Sequence, residues 1–396
     1  MGVTGSIAAY KAADLVSALV QRGAEVRVIM TKSACEMVGV ATFRALSGNE
    51  VGTELFGNVE FDIAHVSMAQ FAEAMVVAPA TANVIGKMVA GIADDLLTTN
   101  LLAVECPVVV APAMNKRMWA NATVQANVAT LKERGVIVVA PGEGFLACGE
   151  VGAGRLADKE ALLAGIRFAL RRGELASQVS PLAGKRIVIT AGPTREHLDP
   201  VRFLSNPSSG AMGYELAMEA TARGAEVTLV HGPSDLTVPG CVEVIAVTTA
   251  AEMAEAVFAK VAEADVFIGA AAVADYSPAE TQTHKTHKKN ETLEIALEPT
   301  EDIIAEVRRR KADMVVVGFA AETQDIESSA RGKMQKKGMD LIVANKVGGG
   351  EGFGPGQTTV TILEARKSAV TVGPVYKDEA ASAIIDAVEG VVEGRK

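Results

Sequence analysis

In the amino-terminal part of this sequence, three short segments bring hydroxyl or amide side chains to places where the backbone has hydrogen-bonding groups to spare. At Gly5-Ser6-Ile7 a glycine turn opens a helix, and the unpaired N–H groups of a helix start beside a serine hydroxyl suit an anionic phosphate. Many strand-to-helix turns carry Gly and Ser only to turn. The segment MVVAPATANVIG runs a buried strand, Met75 to Ala78, into Pro79-Ala80-Thr81-Ala82-Asn83 and a helix. Thr81 or Asn83 therefore either caps that helix or faces a ligand at the carboxyl end of a sheet. A third strand, Val108 to Ala111, enters PAMNKRMW. Packing accounts for Met114 and for Trp119, the single Trp, but leaves Asn115, whose amide both donates and accepts, without a reason.

The second half offers a different set. A strand over Arg186 to Thr190 leads into a long loop rich in Gly, Pro, Ser and Asn, and a helix starts near Gly210. Neither G-x-G-x-x-G nor G-x-x-x-x-G-K-[ST] occurs there, so a nucleotide held by this loop uses another mode. Asn206 precedes Pro207, where turn geometry alone favours it. The stretch THKTHKKNET sets Lys285, Lys288 and Lys289 beside His284 and His287. Such runs are ordinarily solvated basic loops, yet a basic cluster in a chain of net charge −10 favours an anionic ligand. A lone histidine such as His65, in FDIAHVSMAQFAEA, is more often structural than catalytic. Cys35, Cys106, Cys148 and Cys241 show no C-x-x-C spacing, so no zinc site or disulfide frame is written here and a reducing cytoplasm fits best.

These residues need scaffolds. The opening GVTGSIAAYKAADLVSALVQRGAEVRVIMT reads as the end of a strand, a Gly turn, an amphipathic helix and a second strand. Ala9, Ala12, Leu15, Val16, Leu19 and Val20 fall at helical spacing, and Gly23 stops the helix. The same order returns at GKRIVITAGPT and SSGAMGYELAMEATARGAEVTLVHG, with RGAEV at both Arg22–Val26 and Arg223–Val227. Between them, RRGELASQVSPLAGK has the composition of a connection. The fold class is therefore α/β: two consecutive doubly wound, Rossmann-like domains with mainly parallel sheets, over 1–175 and 185–396, joined by a linker at 176–184. The strand feeding the first turn has only Gly2, Val3 and Thr4, where about five or six residues are typical. The first strand reads as truncated, and the start as set too far downstream.

Composition agrees. The 396 residues are 49% hydrophobic and 22% charged, which excludes a largely disordered chain. The net charge of −10 disfavours nucleic acid and acidic membrane surfaces as partners. No apolar run reaches the roughly 18 residues of a membrane span, and no signal peptide is evident. Met1 to Ser6 match a myristoylation pattern that the glycine turn explains better.

On the strings GSIAAYK, the His65 segment, PATAN with GIADDLL, PAMNKRMW and ACGEVGAGRLAD, the first half resembles the homo-oligomeric flavin-containing cysteine decarboxylases. Within them it is most similar to the decarboxylase half of the bifunctional phosphopantothenoylcysteine decarboxylase/phosphopantothenate–cysteine ligases of coenzyme A biosynthesis. The second half resembles the ligase half of the same proteins through AGPT, DPVR, SNPSSGAMG, AAAVADY, the lysine cluster and GFAAET.

The resemblance implies that FMN oxidises the cysteinyl group of 4′-phosphopantothenoylcysteine to a thioaldehyde. Carbon dioxide then leaves as charge delocalises into an enethiolate, and reduced flavin returns the electrons to give 4′-phosphopantetheine. His65 is the implied base, Asn115 the group that holds the substrate carboxylate, and Cys148 the proton donor on a flap. A thiol of reference pKa roughly 8.5 suits that last role, and Gly142, Gly144 and Gly149 read as a mobile loop around it. FMN falls to Gly5, Ser6, Ile7, Thr31, Ala34, Ala80, Thr81, Asn83 and Met114.

For the ligase, the resemblance implies activation of 4′-phosphopantothenate by CTP to an acyl-cytidylate, which the amine of L-cysteine opens with loss of CMP. Mg2+ (or Mn2+), lysines and backbone amides offset the phosphate charge; no metal ligand is assigned. Asn206, with Ser208, Ser209, Gly210 and Met212, matches the loop that contacts the acyl-cytidylate. Asp275, ending a buried strand, matches the residue that reads the nucleotide, in the company of Ala271, Ile303 and Phe319. The family pattern at the lysines is nearer K-I-K-K, and counting ten onward from Asp275 favours Lys285 as the catalytic lysine. Lys333 and Lys337 match phosphate-contacting residues on one helix face, and Asn345 caps the strand region that follows. The implied homo-oligomer is built of decarboxylase trimers, with flavin between neighbouring protomers, and ligase dimers, with a dodecamer as the largest assembly. A flavin carrier, an NAD(P)-dependent oxidoreductase and a regulatory subunit without turnover are the rival readings. The joint presence of His65, Asn115 and Cys148 argues against the first, and the missing dinucleotide fingerprint against the second.

Overall fold

The computed structural model describes residues 1–55, 64–145, 149, 151–234, 236, 242–285, 293–322, 326–346, 357–365 and 367–395. The chain forms two compact units, with the change from one to the other between Ser177 and Gln178.

The first unit opens with β1 (Gly2–Val3), α1 (Ala9–Gln21), β2 (Val28–Met30), α2 (Lys32–Cys35), α3 (Val40–Ser47) and β3 (Val51–Gly52). It continues with α4 (Ala64–Phe71), β4 (Met75–Ala80), α5 (Ala82–Ala90), α6 (Leu96–Ala103), β5 (Val108–Pro112), α7 (Lys116–Trp119) and α8 (Ala122–Glu133). It ends with β6 (Ile137–Val138), a hairpin of β7 (Gly142–Phe145) and β8 (Val151–Arg155), and α9 (Lys159–Leu175). A six-stranded parallel sheet runs β3-β2-β1-β4-β5-β6. Its central strands are Val, Met and Ala runs buried on both faces, as strands covered by helices on either side must be. In α1 the buried face is Ala9, Ala12, Leu15, Val16 and Ala18. Val20, expected in that face, is 36% exposed because it lies at the margin of the arc in the last turn. Gly23 adopts φ +86°, the left-handed stop.

The second unit contains β9 (Arg186–Ala191), β10 (Arg195–His197), β11 (Phe203–Ser205), α10 (Ala211–Ala222), β12 (Glu226–His231), β13 (Glu243–Ala246), α11 (Ala250–Val261) and β14 (Val266–Gly269). After these come β15 (Tyr276–Pro278), β16 (Leu297–Pro299), α12 (Ile303–Arg310), β17 (Val315–Glu322) and α13 (Ile326–Lys337). β18 (Leu341–Lys346), β19 (Thr358–Glu364), β20 (Val370–Val375) and α14 (Lys377–Glu393) complete it. The eight-stranded sheet runs β13-β12-β9-β14-β17-β18-β19-β20, parallel except for β18–β19 and β19–β20. Its core joins Val188, Phe267 and Val316 from the strands to Met253, Val257 and Met334 from the helices. Helix α12 approaches closely because Gly269 and Gly318 leave room for Ile304. Buried Arg223 ties α10 to α14 through Glu219, Asp386 and Glu389.

Two placements differ from expectation. Asp275 does not end the buried strand: β14 stops at Gly269, and the chain then leaves the sheet in a loop, so Asp275 stands exposed just before β15. Asn345 caps no strand but sits within β18, paired with Val360 of β19, because the strand pairing continues past buried Ala344 to Lys346. No helix among the described residues is long and apolar enough to cross a membrane.

Candidate functional sites

In an open parallel sheet the crevice forms where the connections from two neighbouring strands diverge. In the first unit this point lies between β1 and β4. Thr4–Ala8 leaves β1, Thr81–Asn83 leaves β4, and both sit at the carboxyl ends. The Gly5 turn is packed against the next loop, since a Cβ at Gly5 would lie 2.4 Å from Ser33 Cβ. Ser6 uses its amide on Thr4 O (2.8 Å), and its hydroxyl accepts from Ala8 N (3.3 Å), while Ile7 projects 63% exposed. Thr31 caps α2 by accepting from Ala34 N (3.3 Å), which leaves Ala34 fully buried. Thr81 caps α5 by accepting from Val84 N (3.5 Å), and Asn83 is exposed. Thr81 thus holds the cap and Asn83 does not.

The PATAN and PAMN loops are joined by Ala113 N donating to Ala80 O (3.0 Å). Met114 and Trp119 pack against the core around Val110 and Leu131. Asn115 has the structural reason the sequence withheld: its Oδ1 accepts from Arg117 N (2.8 Å) and caps α7. Across from it runs the return strand of the β7–β8 hairpin. Met114 N donates to Gly154 O (2.9 Å), and Gly154 has φ +133° with its Cβ position 2.4 Å from Met114 O. Only glycine fits such an approach, and no residue type in this strand had marked it. The hairpin strands flank residues 146–150, and Cys148 lies outside the described residues. His65 is the second residue of α4; its side chain also lies outside them. Lys11, on α1, is pushed below the usual lysine range by burial and then by the charge of Arg155, against which Asp158 acts.

The second unit repeats the logic between β9 and β14. After β9 the chain forms Gly192–Thr194, the β10–β11 hairpin and the Ser205–Gly210 loop; after β14 it forms Ala270–Asp275. Ala271 N donates to Thr190 Oγ1 (3.2 Å), Ala272 N to Gly192 O (2.9 Å) and Ala274 N to Thr194 Oγ1 (3.0 Å). Asn206 Nδ2 donates to Val273 O (2.9 Å), so the candidate amide already bridges the two loops. Thr300 closes the far side, its hydroxyl donating to Ala274 O (2.6 Å) and its amide to Asp275 O (3.0 Å). A Cβ at Gly232 would lie 1.7 Å from Pro193 O, so the AGPT turn nests on a glycine the sequence reading had passed over. Ser208 and Ser209 each accept from a backbone N–H at the start of α10. Tyr214 behind them is raised by burial, with a hydrogen bond to Ser234 opposing.

The remaining candidates divide. Lys285 is exposed, on a segment anchored to the β10–β11 hairpin by Gln282 N donating to Leu198 O (2.9 Å). Lys288, Lys289 and His287 lie outside the described residues. Ile303 is 5% exposed, its side chain packed in the core and its backbone at the start of α12. Phe319 is half-buried on β17. Lys333 and Lys337 both lie on α13 as their spacing requires, and Lys337 pairs with Asp302 (2.9 Å). Among the described residues no group of three or more His, Cys, Asp or Glu side chains gathers as for a metal ion.

The loops that line the first crevice, 4–8, 31–34, 79–83 and 112–117, contain no acidic residue, and they carry Lys32, Lys116 and Arg117. That is a donor set fit for a phosphate-bearing cofactor. Residues 1–170 match the Flavoprotein family, and residues 182–391 match the DNA/pantothenate metabolism flavoprotein C-terminal domain. The class is thus a two-part α/β flavoprotein enzyme. Over 365 residues the chain is 49% identical to the coenzyme A biosynthesis bifunctional protein CoaBC of Bacillus subtilis, covering 91% of this chain and 89% of the relative. It is 42% identical over 408 residues to CoaBC of Mycobacterium bovis, covering 100% and 96%. A crystal structure of the C-terminal domain of a CoaBC is similar at 39% identity and a TM-score of 0.47, covering 54% of this chain and 99% of that one. The chain belongs to the family of coenzyme A biosynthesis bifunctional proteins. It is a bifunctional enzyme, with a flavoprotein decarboxylase domain followed by a ligase domain.

Proposed function

We propose that residues 1–175 decarboxylate 4′-phosphopantothenoylcysteine with FMN and that residues 185–396 form it from 4′-phosphopantothenate, L-cysteine and CTP, with 176–184 as linker. The observation that carries this reading is the pair of switch-point crevices, each walled by the segments that bear the candidate side chains and stitched across by hydrogen bonds from both backbone and side chains.

In the first crevice Gly5, Ser6, Ile7, Thr31, Ala34, Ala80, Thr81, Asn83 and Met114 would hold FMN. Held there, FMN would supply reversible two-electron redox chemistry, serving as acceptor before carbon dioxide leaves and as donor afterwards. His65 takes the proton released in the oxidation, a general-base task suited to an imidazole. Asn115 orients the departing carboxylate through its amide Nδ2, since Oδ1 is committed to Arg117 N. Cys148 returns a proton to the product carbon–sulfur system. The β7–β8 hairpin, bolted to the Met114 loop, excludes water from that step.

In the second crevice Asn206 and the Ser208–Gly210 loop orient the activated carboxyl group, Asp275 accepts hydrogen bonds from the nucleotide, and Lys285 places positive charge on the phosphorus under attack. Phe319, Ala271 and the backbone of Ile303 flank the nucleotide, and Lys333 and Lys337 bind its phosphates, Lys337 by exchanging Asp302 for them. Mg2+ (or Mn2+) fits here as a companion of the triphosphate, since that ion is usually held through substrate phosphates and few protein ligands. The enzyme works in the cytoplasm as a homo-oligomer, decarboxylase trimers sharing flavin between protomers and ligase dimers.

The test is incubation of the full chain with 4′-phosphopantothenate, L-cysteine, Mg2+, FMN and either CTP or ATP, with mass analysis. Formation of 4′-phosphopantetheine with CTP is expected. A protein that stays colourless with FMN and leaves 4′-phosphopantothenoylcysteine untouched refutes the first half. Ligation equally fast with ATP refutes the nucleotide assignment.

A further inference from the structure

We infer that Thr4 is a positioning residue for the flavin: its buried hydroxyl sets the spacing of the two loops that bind FMN without itself touching the cofactor. This rests on the reading above that FMN occupies the β1/β4 crevice.

Thr4 is the first residue beyond β1 and is fully buried. Its Oγ1 donates to Pro79 O (2.7 Å) and accepts from Thr81 N (3.0 Å), so one atom is bonded on both sides of Ala80. The reason lies in the ladder. β1 pairs with β4 through Gly2 and Val77, but Pro79 has no N–H to donate and the ladder between β4 and β5 shifts register between Val77 and Ala80. The pairing of β1 with β4 thus ends at Gly2 and Val77, short of the loops at the carboxyl ends of the two strands. The threonine hydroxyl is the link that replaces the missing rungs.

Everything this link holds faces the site. Thr81 caps α5, Ala80 O receives Ala113 N from the PAMN loop, and Gly5 follows Thr4 directly into the phosphate turn. A lost hydroxyl would leave the Pro79 carbonyl and the Thr81 amide unpaired in a dry place, and the loops would move apart or admit water. The second unit contains the same construction. Fully buried Thr194, after β9, accepts from Ala274 N of the loop that follows β14 (3.0 Å).

The experiment compares Thr4→Val, which keeps the shape and removes the hydroxyl, with Thr4→Ser, which keeps the hydroxyl, in the full chain. FMN affinity is read from quenching of flavin fluorescence, loop geometry from the visible circular dichroism of bound flavin, and stability from unfolding of the FMN-free protein. Thr4→Val should weaken FMN by about tenfold or more, the factor that one unpaired buried group implies, and alter the dichroic bands. Thr4→Ser should stay within about twofold of the parent. Should Thr4→Val not fold, Thr4→Ala against Thr4→Ser makes the same comparison. Equal FMN affinity and unchanged dichroism in Thr4→Val or Thr4→Ala, with only the unfolding midpoint lowered, overturns the inference and makes Thr4 merely structural. Failure of the parent chain to bind FMN refutes instead the reading on which it rests.

Discussion

Replacing Gly154 by alanine is the most direct way to ask whether the β7–β8 hairpin belongs to the decarboxylation site. At φ +133° an L-residue is strained by ~1–3 kcal/mol. The new Cβ would also lie 2.4 Å from the Met114 carbonyl oxygen and 3.4 Å from Lys116 N, both backbone atoms with no flexible end to swing away. Relief requires the strand and the loop to separate by about 1 Å, which breaks the Met114 N–H to Gly154 O bond, a further ~1 kcal/mol. Misplacement by about 1 Å of groups that hold a reacting centre typically costs on the order of 10²-fold in rate. Gly154→Ala is therefore expected to lower kcat for CO2 release from supplied 4′-phosphopantothenoylcysteine by about that factor. FMN should remain bound through Gly5, Thr31 and Thr81, with only the Met114 contact disturbed, and ligation by the same preparation should stay within about twofold. The assay is single-turnover CO2 release alongside pyrophosphate release. An unchanged kcat would refute the idea that the hairpin positions Asn115 and its neighbours. Parallel loss of both activities would show global unfolding instead.

Further outcomes follow from the same geometry. His65→Asn should abolish CO2 release while ligation persists, and Lys285→Gln should do the reverse; a single substitution that removed both activities from a folded protein would contradict two separate sites. Thr194→Val leaves the Ala274 amide unpaired beside Asp275, at a cost of ~1–3 kcal/mol. It should weaken nucleotide binding in ligation, with Thr194→Ser restoring it; identical KM values for CTP in all three proteins would count against this. Arg223→Met strips the partner from Glu219, Asp386 and Glu389 around a side chain only 4% exposed. Breaking a buried ion-pair cluster from one side costs ~3–5 kcal/mol, so urea should unfold the second unit at a clearly lower concentration, and an unchanged midpoint would mean the cluster contributes little.

Much of the arrangement was open to reading along the chain. The Val and Ala runs, the helix with Gly23 at its end and the repeated RGAEV string indicate doubly wound α/β architecture, because buried parallel strands and their covering helices impose local composition. A cap at Thr81 or Asn83 was legible because capping is a local bond to a residue two or three positions on, and the structure gives it to Thr81. Asn115 was not, though its cap is equally local, because PAMNKRMW gives no periodic signal for so short a helix as α7. Asp275 was misplaced for the opposite reason: the apolar string from Val266 to Ala274 does not reveal that the chain leaves the sheet at Gly269. Ile303 carried no sign that its side chain turns inward, which depends on how α12 packs into the core with Phe267 and Val307.

What the amino-acid sequence determined by itself was therefore the class of fold and the two-part organisation, and it marked the segments that bear candidate side chains, since each depends on side-chain type and short spacing. Which of those segments meet was decided in three dimensions. Thr4 and Thr81 are 77 residues apart and joined by one hydroxyl; Asn206 reaches Val273 across 67 residues; Thr194 reaches Ala274 across 80. Strand order places these partners side by side, and strand order is fixed by how helices pack over a sheet, an interaction no local window contains.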